Sequence, residues 1–270
     1  MPREIPAPIA VFISGHIGTV DGAVPPQLQT MTVKVNRHGL LQSKGLPYCT
    51  VPEIQPGSSD RALADCGDAL VGSGRFWASV VFPDQRPYPT RGRLLIFNGR
   101  QSSCSASSAI SAEDSSSLTG RVWPSRSRTQ EGRQGERTPV RDPQAADRGH
   151  RDAPCHTRPV LFAHIFTRQP FVSSFVVTFA LKRISEGPYG TELSASLPQA
   201  LGDWGFVDRI KLTLKRKYDY EGKELSYFNA ACPAPKGTET ASFPLALASF
   251  AFAGGEQISA TVVKACRVKE

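Results

Sequence analysis

The sequence has no Cys-x-x-Cys pair, no histidine and cysteine cluster at the spacing of a zinc site, and no run of about 18 apolar residues. It also lacks a Walker A loop, a G-x-G-x-x-G turn and a G-x-S-x-G nucleophile turn. These absences leave zinc chemistry, nucleotide cofactors and a nucleophilic serine without support from any motif. We therefore expect no metal site, no cofactor, no catalytic constellation and no transmembrane segment.

The first residues lack the features of a signal peptide. Arg3 and Glu4 cancel in charge, and the apolar stretch at residues 8–14 is short and is not followed by a small-residue cleavage site. Two interpretations stay open. Either the protein is exported and its signal lies upstream of this chain, or it is cytoplasmic and its cysteines are buried thiols.

A lysine-free segment interrupts the chain. Residues 101–158 contain eleven Ser, nine Arg and no Lys, and Trp123 is their single aromatic residue. Such a segment has no apolar period and cannot bury enough surface to offset the entropy lost on ordering. We predict a disordered Ser/Arg-rich insert at 101–158, lying within a hairpin formed by the flanking strands. It either binds nucleic acid through its arginines or is inserted or frame-shifted sequence without a selected role.

Outside the insert, apolar and polar residues alternate with the period of two that is typical of β-strands. One short helix is predicted at residues 59–70, capped by Ser58 or Ser59. Because helical crossovers are missing, we predict an all-β fold, an antiparallel β-sandwich or open barrel of about ten strands, in a single domain of residues 1–100 and 159–270. The predicted strands are residues 9–14, 30–36, 76–82, 94–98, 160–166, 172–181, 209–218, 225–230, 246–253 and 257–264.

Four cysteines lie outside the insert, where a turn or strand end of a β-rich chain could be stapled. Four cysteines allow three pairings, and we favour Cys49 with Cys66 and Cys232 with Cys266 because each pair closes a modest loop. Under a loop-closure model the first bridge stabilises the fold by about 3 kcal/mol and the second by about 3–4 kcal/mol. Such bonds persist in an oxidising compartment, which favours export. The alternative is four buried free thiols.

Several short stretches carry a resemblance to known proteins. These are Asn36-Arg-His-Gly39, Gly45-Leu-Pro-Tyr-Cys49, Cys66-Gly-Asp-Ala-Leu-Val-Gly-Ser-Gly74 and Phe252-Ala-Gly-Gly255. The chain resembles a group of uncharacterised, exported bacterial proteins with four cysteines, over about residues 31–267 without the insert. The resemblance implies export and an all-β fold and brings no activity. The chain departs from that group by carrying the insert and by lacking a clear signal peptide.

The formal charge of +8 favours an anionic partner. On the predicted strand 209–218, basic side chains share one face, and two tyrosines follow that could stack on sugars or bases. The alternative without a binding role is a solvated strand face whose lysines discourage edge-to-edge pairing. The candidate binding residues are Arg209, Lys211, Lys215, Lys217, Tyr218 and Tyr220.

Two histidines are candidates for catalysis. His164 alternates with apolar neighbours and His38 precedes a glycine. Either could act as a general base if folding brought a carboxylate near it. The simpler interpretations are a hydrogen-bonded histidine within a sheet for His164 and a turn residue for His38.

Three hypotheses follow from the sequence. The first is an exported, non-enzymatic β-sandwich protein of the cell envelope or extracellular space that binds an anionic polymer or glycan. The second is a hydrolase that uses a histidine and a carboxylate. The third is a cytoplasmic nucleic-acid binder. Because this hypothesis requires free thiols, nucleic acid is the least favoured of the candidate partners.

Overall fold

The computed structural model describes residues 2–3, 5–55, 57–82, 84–104, 155–197 and 205–268. The helices of this part are α1 (Val51–Ile54) and α2 (Ser59–Cys66), and neither is long and apolar enough to cross a membrane. The strands are β1 (Ala7–Pro8), β2 (Val11–His16), β3 (Leu28–Asn36), β4 (Gly39–Leu41), β5 (Leu70–Val80), β6 (Tyr88–Cys104), β7 (Cys155–Thr167), β8 (Ser173–Glu186), β9 (Tyr189–Ser196), β10 (Gly205–Leu214), β11 (Lys217–Tyr220), β12 (Lys223–Ser226), β13 (Phe228–Ala230), β14 (Thr240–Phe252) and β15 (Gln257–Arg267).

Ten strands form one antiparallel sheet that curls into a half-barrel, in the order β15-β14-β3-β9-β8-β7-β6-β5-β10-β2. Two smaller sheets accompany it, β1-β13-β4 and the hairpin β11-β12. The predicted fold class, an antiparallel all-β sandwich or open barrel of about ten strands, is confirmed, and the half-barrel corresponds to its open-barrel form.

Strand β6 shows how the main sheet divides its side chains between two faces. Leu94 and Ile96 belong to one buried apolar cluster, whereas Leu95 and Phe97 belong to another. Because successive side chains of a strand point to opposite faces, the two clusters lie on opposite sides of the sheet. We call the side of Leu94 the core face and the side of Leu95, on which α2 packs, the helix face.

The core face is covered by residues from outside the main sheet. Leu161 and Val177 continue its apolar surface across β7 and β8, and Tyr227 and Phe228 pack onto it. The rings of Tyr227 and Phe228 meet edge to face with 4.9 Å between their centroids. Burial raises the pKa of the Tyr227 phenol. Each such aromatic side chain stabilises the fold by about 1.5–3 kcal/mol through the area it buries.

Helix α2 covers one part of the helix face. The hydroxyl of its N-cap, Ser58, accepts a hydrogen bond from the N–H of Arg61, which satisfies one of the free donors at the helix start. Its buried residues Ala62 and Cys66 pack with Leu95 and Phe97 of the sheet. The predicted helix at 59–70 thus ends earlier, at Cys66, and continues as a 3-10 turn, Gly67–Ala69.

Both cysteine pairs favoured by the sequence are disulfides. Cys49 and Cys66 have their Cα atoms 5.9 Å apart and tie α2 to the segment before α1. Cys232 and Cys266 have their Cα atoms 5.7 Å apart and tie the end of β15 to the segment after β13. Among the side chains that the structure describes, no cysteine is free.

Two of the predicted strands are broken in the structure. The strand predicted at 209–218 ends at Leu214, and the chain then enters a separate hairpin at Lys217. The strand predicted at 225–230 is divided between β12 and β13. The strict alternation stops at both breaks, at Lys215-Arg216-Lys217 and at Tyr227-Phe228, so the period of two did not support extending either strand past these residues. Strand β9, which the sequence did not predict, lies in the middle of the main sheet.

The strands on either side of the predicted insert are neighbours. Strand β6 ends at Cys104 and β7 begins at Cys155, and the two lie side by side in the main sheet. The ends of the predicted segment 101–158 are therefore strand residues. Residues 105–154, on which the prediction of disorder rests, lie outside the described part of the chain.

Candidate functional site

Strand β10 places two of the predicted binding residues on the helix face. Ile210, Leu212 and Leu214 pack with the core-face cluster. Because side chains alternate along a strand, Arg209 and Lys211 lie on the opposite side. Both are exposed. The predicted placement of Arg209 and Lys211 on one exposed strand face is therefore present in the structure.

Strand β5 packs closely against β10 and therefore supplies the neighbours of Arg209 and Lys211. A Cβ atom on Gly74 of β5 would overlap the main chain at Lys211, and one on Gly72 would overlap the side chain of Leu214. Glycine at both positions lets the two strands approach and pair along most of their length. The register of β5 against β10 therefore determines the surroundings of Lys211.

One row of side chains across the helix face consists of three cations. Lys211 is opposite Arg75 of β5, and Arg75 is opposite Arg93 of β6. Directly opposed residues of antiparallel strands share a face, and neighbouring strands are about 4.8 Å apart. All three side chains are exposed, so three positive charges follow one another across the strands.

The adjacent row places an aromatic ring between two cations. Arg209 is opposite Trp77 of β5, and Trp77 is opposite Arg91 of β6. The Arg209 guanidinium lies 6.0 Å from the centroid of the Trp77 ring, within the range of a cation–π contact. We call the cations of these two rows the basic face; they are Arg75, Arg91, Arg93, Arg209 and Lys211.

The basic face has little charge compensation. Asp60 of α2 lies 3.0 Å from the Arg93 guanidinium. Within the described residues, Arg75, Arg91 and Lys211 form no ion pair. Like charges placed directly opposite each other on a sheet destabilise it by up to about 1 kcal/mol per pair. The row from Lys211 to Arg93 therefore carries an electrostatic cost that a bound anion would remove.

A cleft of about 350 Å³ opens beside the basic face, between β6, the end of β7 and the start of α2. Its charged lining residues are Asp60, Arg91, Arg93 and Arg168, and the uncharged polar residues Ser59, Thr167 and Gln169 also line it. Arg91 and Arg93 are shared with the basic face. The cleft therefore continues the same positive surface into a concave site.

The other predicted binding residues lie elsewhere. Lys215 follows the end of β10 and is exposed, and its N–H donates to the carbonyl of Val71. Lys217 belongs to the hairpin β11-β12, where its ammonium lies 2.7 Å from a carboxylate oxygen of Glu224. The structure thus separates Lys215 and Lys217 from Arg209 and Lys211, which the sequence had placed on one strand face.

The two predicted aromatic residues, Tyr218 and Tyr220, also belong to the hairpin β11-β12. The Tyr218 hydroxyl lies 2.9 Å from the carbonyl oxygen of Lys44, which accepts its hydrogen bond, and burial raises the pKa of this phenol. The ring of Tyr220 lies against Gly45, with the Lys44 ammonium 5.4 Å from its centroid. Both tyrosines contact the segment that precedes Cys49 and lie outside the basic face.

Neither of the two candidate histidines, His164 and His38, is paired with a carboxylate in the described part of the chain. His164 is fully buried; its Nε2 lies 3.1 Å from the carbonyl oxygen of Gly57 and 3.1 Å from the hydroxyl of Ser174. Burial lowers the pKa of His164. At His38, the main-chain N–H donates to the side-chain oxygen of Asn36, and the carbonyl accepts from the N–H of Ala231. This geometry gives the hydrolase hypothesis no support.

One group of potential metal ligands occurs among the described residues, formed by Cys49, Glu53 and Cys66. Both sulfur atoms belong to the disulfide, so they are not available as thiolate ligands. The Glu53 carboxylate instead accepts hydrogen bonds from the N–H and hydroxyl of Thr50, at 2.6 and 2.8 Å. These contacts hold the turn at the start of α1.

Sequence reasoning missed most of the basic face. Arg75 and Trp77 are two residues apart, as are Arg91 and Arg93, and this spacing of two is the signal that could have placed each pair on one strand face. Their alignment with Lys211 depends on strand order, which the sequence did not reveal. No protein family, curated protein or solved structure matches this chain.

Proposed function

We propose that this protein is an exported, non-enzymatic β-protein of the cell envelope or extracellular space that binds an anionic polymer through its basic face. The observation that carries the proposal is the row of Lys211, Arg75 and Arg93, three exposed cations directly opposite one another on adjacent strands. Only Arg93 has a carboxylate partner in the described residues. Such a row costs folding energy, and an anionic ligand compensates for that cost.

A polymer suits this surface better than an isolated small ligand. The row runs across the strands, so its charges repeat at about 4.8 Å, which fits an extended chain with closely spaced anionic groups. Trp77 lies between Arg209 and Arg91 and offers a ring on which a sugar could stack. Because exposed charges dominate, binding is expected to weaken as ionic strength rises.

Two further observations support the proposal, one for the exported location and one for the anionic partner. The disulfides Cys49–Cys66 and Cys232–Cys266 are of the kind that persists in an oxidising compartment. The net charge of +8 favours association with an anionic surface.

The test compares the basic face with cations outside it. Retention on beads carrying dextran sulfate would be measured for the wild type, for Arg75→Glu/Lys211→Glu, and for the control Lys215→Glu/Lys217→Glu. Both variants change the net charge equally. We expect the first to lower the affinity about 100-fold at moderate salt and the control to lower it less than about threefold, because only the first reverses charge within the row.

Equal losses in the two variants would mean that retention follows net charge and would overturn the proposal. So would a wild-type protein that elutes with the neutral dextran control. Circular dichroism and thermal unfolding of each variant would establish that both remain folded.

A further inference from the structure

The cleft beside the basic face contains the start of helix α2. The cap uses the N–H of Arg61, which donates to the Ser58 hydroxyl, and the N–H of Ala62, which donates to the Ser58 carbonyl. The first two N–H groups of the helix, those of Ser59 and Asp60, have no acceptor within the helix. The positive end of the helix dipole adds to their attraction for an anion.

Ser59 supplies an independent observation at the same place. Ser59 is 3% exposed, lines the cleft, and its hydroxyl has no hydrogen-bond partner among the described residues. Buried polar groups are nearly always hydrogen-bonded, so an unpartnered hydroxyl on a residue that lines the cleft needs an explanation. An anion in the cleft would offer this hydroxyl an acceptor once the Ser59 side chain turns toward it.

Three guanidinium groups complete the positive lining. Arg91 and Arg93 come from β6, and Arg168 follows β7. The carboxylate of Asp60 is the only acidic side chain in the described lining and lies 3.0 Å from Arg93 and 4.0 Å from Arg168. These side chains are largely exposed, and exposed ion pairs contribute little to stability. A stronger anion can therefore displace the Asp60 carboxylate from its arginines.

We propose that this cleft is a subsite for a tetrahedral oxyanion, a sulfate or phosphate group carried by the anionic polymer. The inference rests on the proposed function, because the cleft shares Arg91 and Arg93 with the basic face. It goes beyond that function by assigning the chemical class of the charged group. Polymers whose only anions are carboxylates then bind the basic face without filling the cleft.

The arrangement of donors favours a tetrahedral group over a carboxylate. Two guanidinium groups from β6, a third from the segment after β7, and Ser59 at the start of α2 all line the cleft. A sulfate or phosphate presents three or four oxygens in different directions and can accept from all of them, whereas a planar carboxylate is satisfied by a single bidentate arginine.

Three variants of the full chain test the subsite. Binding of inorganic sulfate, inorganic phosphate and acetate would be measured by calorimetry at constant ionic strength. We expect sulfate or phosphate to bind and acetate to bind at least tenfold more weakly. Ser59→Ala should weaken oxyanion binding about tenfold, because a hydrogen bond to a charged group is lost. Asp60→Asn should tighten it about three- to tenfold, because the competing carboxylate is removed.

The matched control is Asp65→Asn, which removes the same charge further along α2, where Asp65 pairs with Arg61. We expect it to change oxyanion affinity less than twofold. Ser59→Ala should leave thermal stability equal or higher, because it removes an unsatisfied buried hydroxyl. The proposal is overturned if neither oxyanion binds, if acetate binds equally well, or if Asp60→Asn does no more than Asp65→Asn.

Polymer binding separates failure of the subsite from failure of the proposed function. Dextran sulfate, polyphosphate and polygalacturonate would be compared, since they carry sulfate, phosphate and carboxylate groups respectively. Ser59→Ala should reduce binding of dextran sulfate or of polyphosphate, and should leave binding of polygalacturonate unchanged. The polymer that responds identifies the natural group as sulfate or phosphate. If all three polymers bind equally and Ser59→Ala affects none, the subsite is wrong and the basic face stands. If the free oxyanion binds but no polymer does, the proposed function is wrong.

Discussion

Strand β10 and the hairpin β11-β12 follow each other in the chain and carry similar residues, yet their cations have different surroundings. In β10, Arg209 and Lys211 lie beside cations and a tryptophan of neighbouring strands. In the hairpin, Lys217 is paired with Glu224 on the next strand. The same chemical groups are uncompensated in one region and neutralised in the other.

The difference teaches that strand partners, rather than the cations themselves, decide whether a basic strand offers charge to a ligand. The partner of Lys217 comes from its own hairpin, so nearby sequence supplies its counter-charge. The partners of Lys211 come from β5 and β2, which are distant in sequence. Only Ser14 and Arg75 are directly opposite Lys211, and neither is acidic.

The largest expected effect comes from a substitution that disrupts the packing of the hairpin β11-β12. Gly45 has φ of +77°, and a Cβ atom there would overlap the ring of Tyr220. Gly45→Ala should therefore lower the free energy of unfolding by about 3 kcal/mol or more, from steric overlap and from the left-handed backbone. Urea unfolding monitored by tryptophan fluorescence measures it.

Gly222→Ala is the matched control, since Gly222 also has positive φ but has no neighbouring atom within 4 Å. It should cost about 1–2 kcal/mol, from backbone conformation alone. If the two variants lose equal stability, the contact between Tyr220 and Gly45 does not hold the hairpin in place.

An intermediate effect concerns the hydroxyl of Tyr218. Tyr218→Phe removes the donor to the Lys44 carbonyl and should lower the free energy of unfolding by about 1 kcal/mol at neutral pH. Thr213→Val is the counterpart in β10 and should change stability by less than about 0.5 kcal/mol, because the Thr213 hydroxyl has no hydrogen-bond partner among the described residues. Chemical denaturation of both variants decides whether the tyrosine is a structural tether.

The same variant changes the response to alkali. Burial raises the pKa of Tyr218 in the folded state above its usual value of about 10. The unfolded chain therefore loses this proton first, and stability falls as pH rises above about 10. Tyr218→Phe should show a shallower fall between pH 10 and 11, and an unchanged slope would contradict burial of the phenol.

The smallest effect contrasts one cation from each region. Arg75→Gln should raise stability by a few tenths of a kcal/mol, because it relieves repulsion from Lys211 and Arg93. Lys217→Gln should lower stability by up to about 0.5 kcal/mol, because it removes the ion pair with Glu224. Thermal unfolding at low and high salt would measure both, and both effects should shrink as salt screens the charges. Changes of the same sign would remove the contrast.

Much of the fold was predictable because it depends on local pattern. Periods of two indicated most strands of the main sheet, and the capped helix at Ser59 was expected. The breaks after Leu214 and between β12 and β13 were missed, although the alternation stops at both, in Lys215-Arg216-Lys217 and in Tyr227-Phe228. Strand β9 was missed because its sequence, Tyr189–Ser196, mixes glycine, charged and hydroxyl residues in a strand that is only half-buried.

The candidate site was predictable only in part. Arg209 and Lys211 followed from the period of β10, whereas Arg75, Arg91 and Trp77 join them through the registers of β5 with β10 and β6. Predicting the cleft would also require knowing that α2, which contributes Ser59, packs on the same face of the sheet. No local pattern relates these segments to one another.

The sequence by itself determined the all-β class, the alternation that sorts side chains between two faces, and the cysteines able to staple strand ends. These properties depend on chain geometry and on residues close in sequence. Tertiary structure alone decided that Lys211, Arg75 and Arg93 lie in one row, and that Lys217 does not. The physical reason is that register between strands distant in sequence is set by the fit of their buried faces, and the exposed faces are aligned as a consequence.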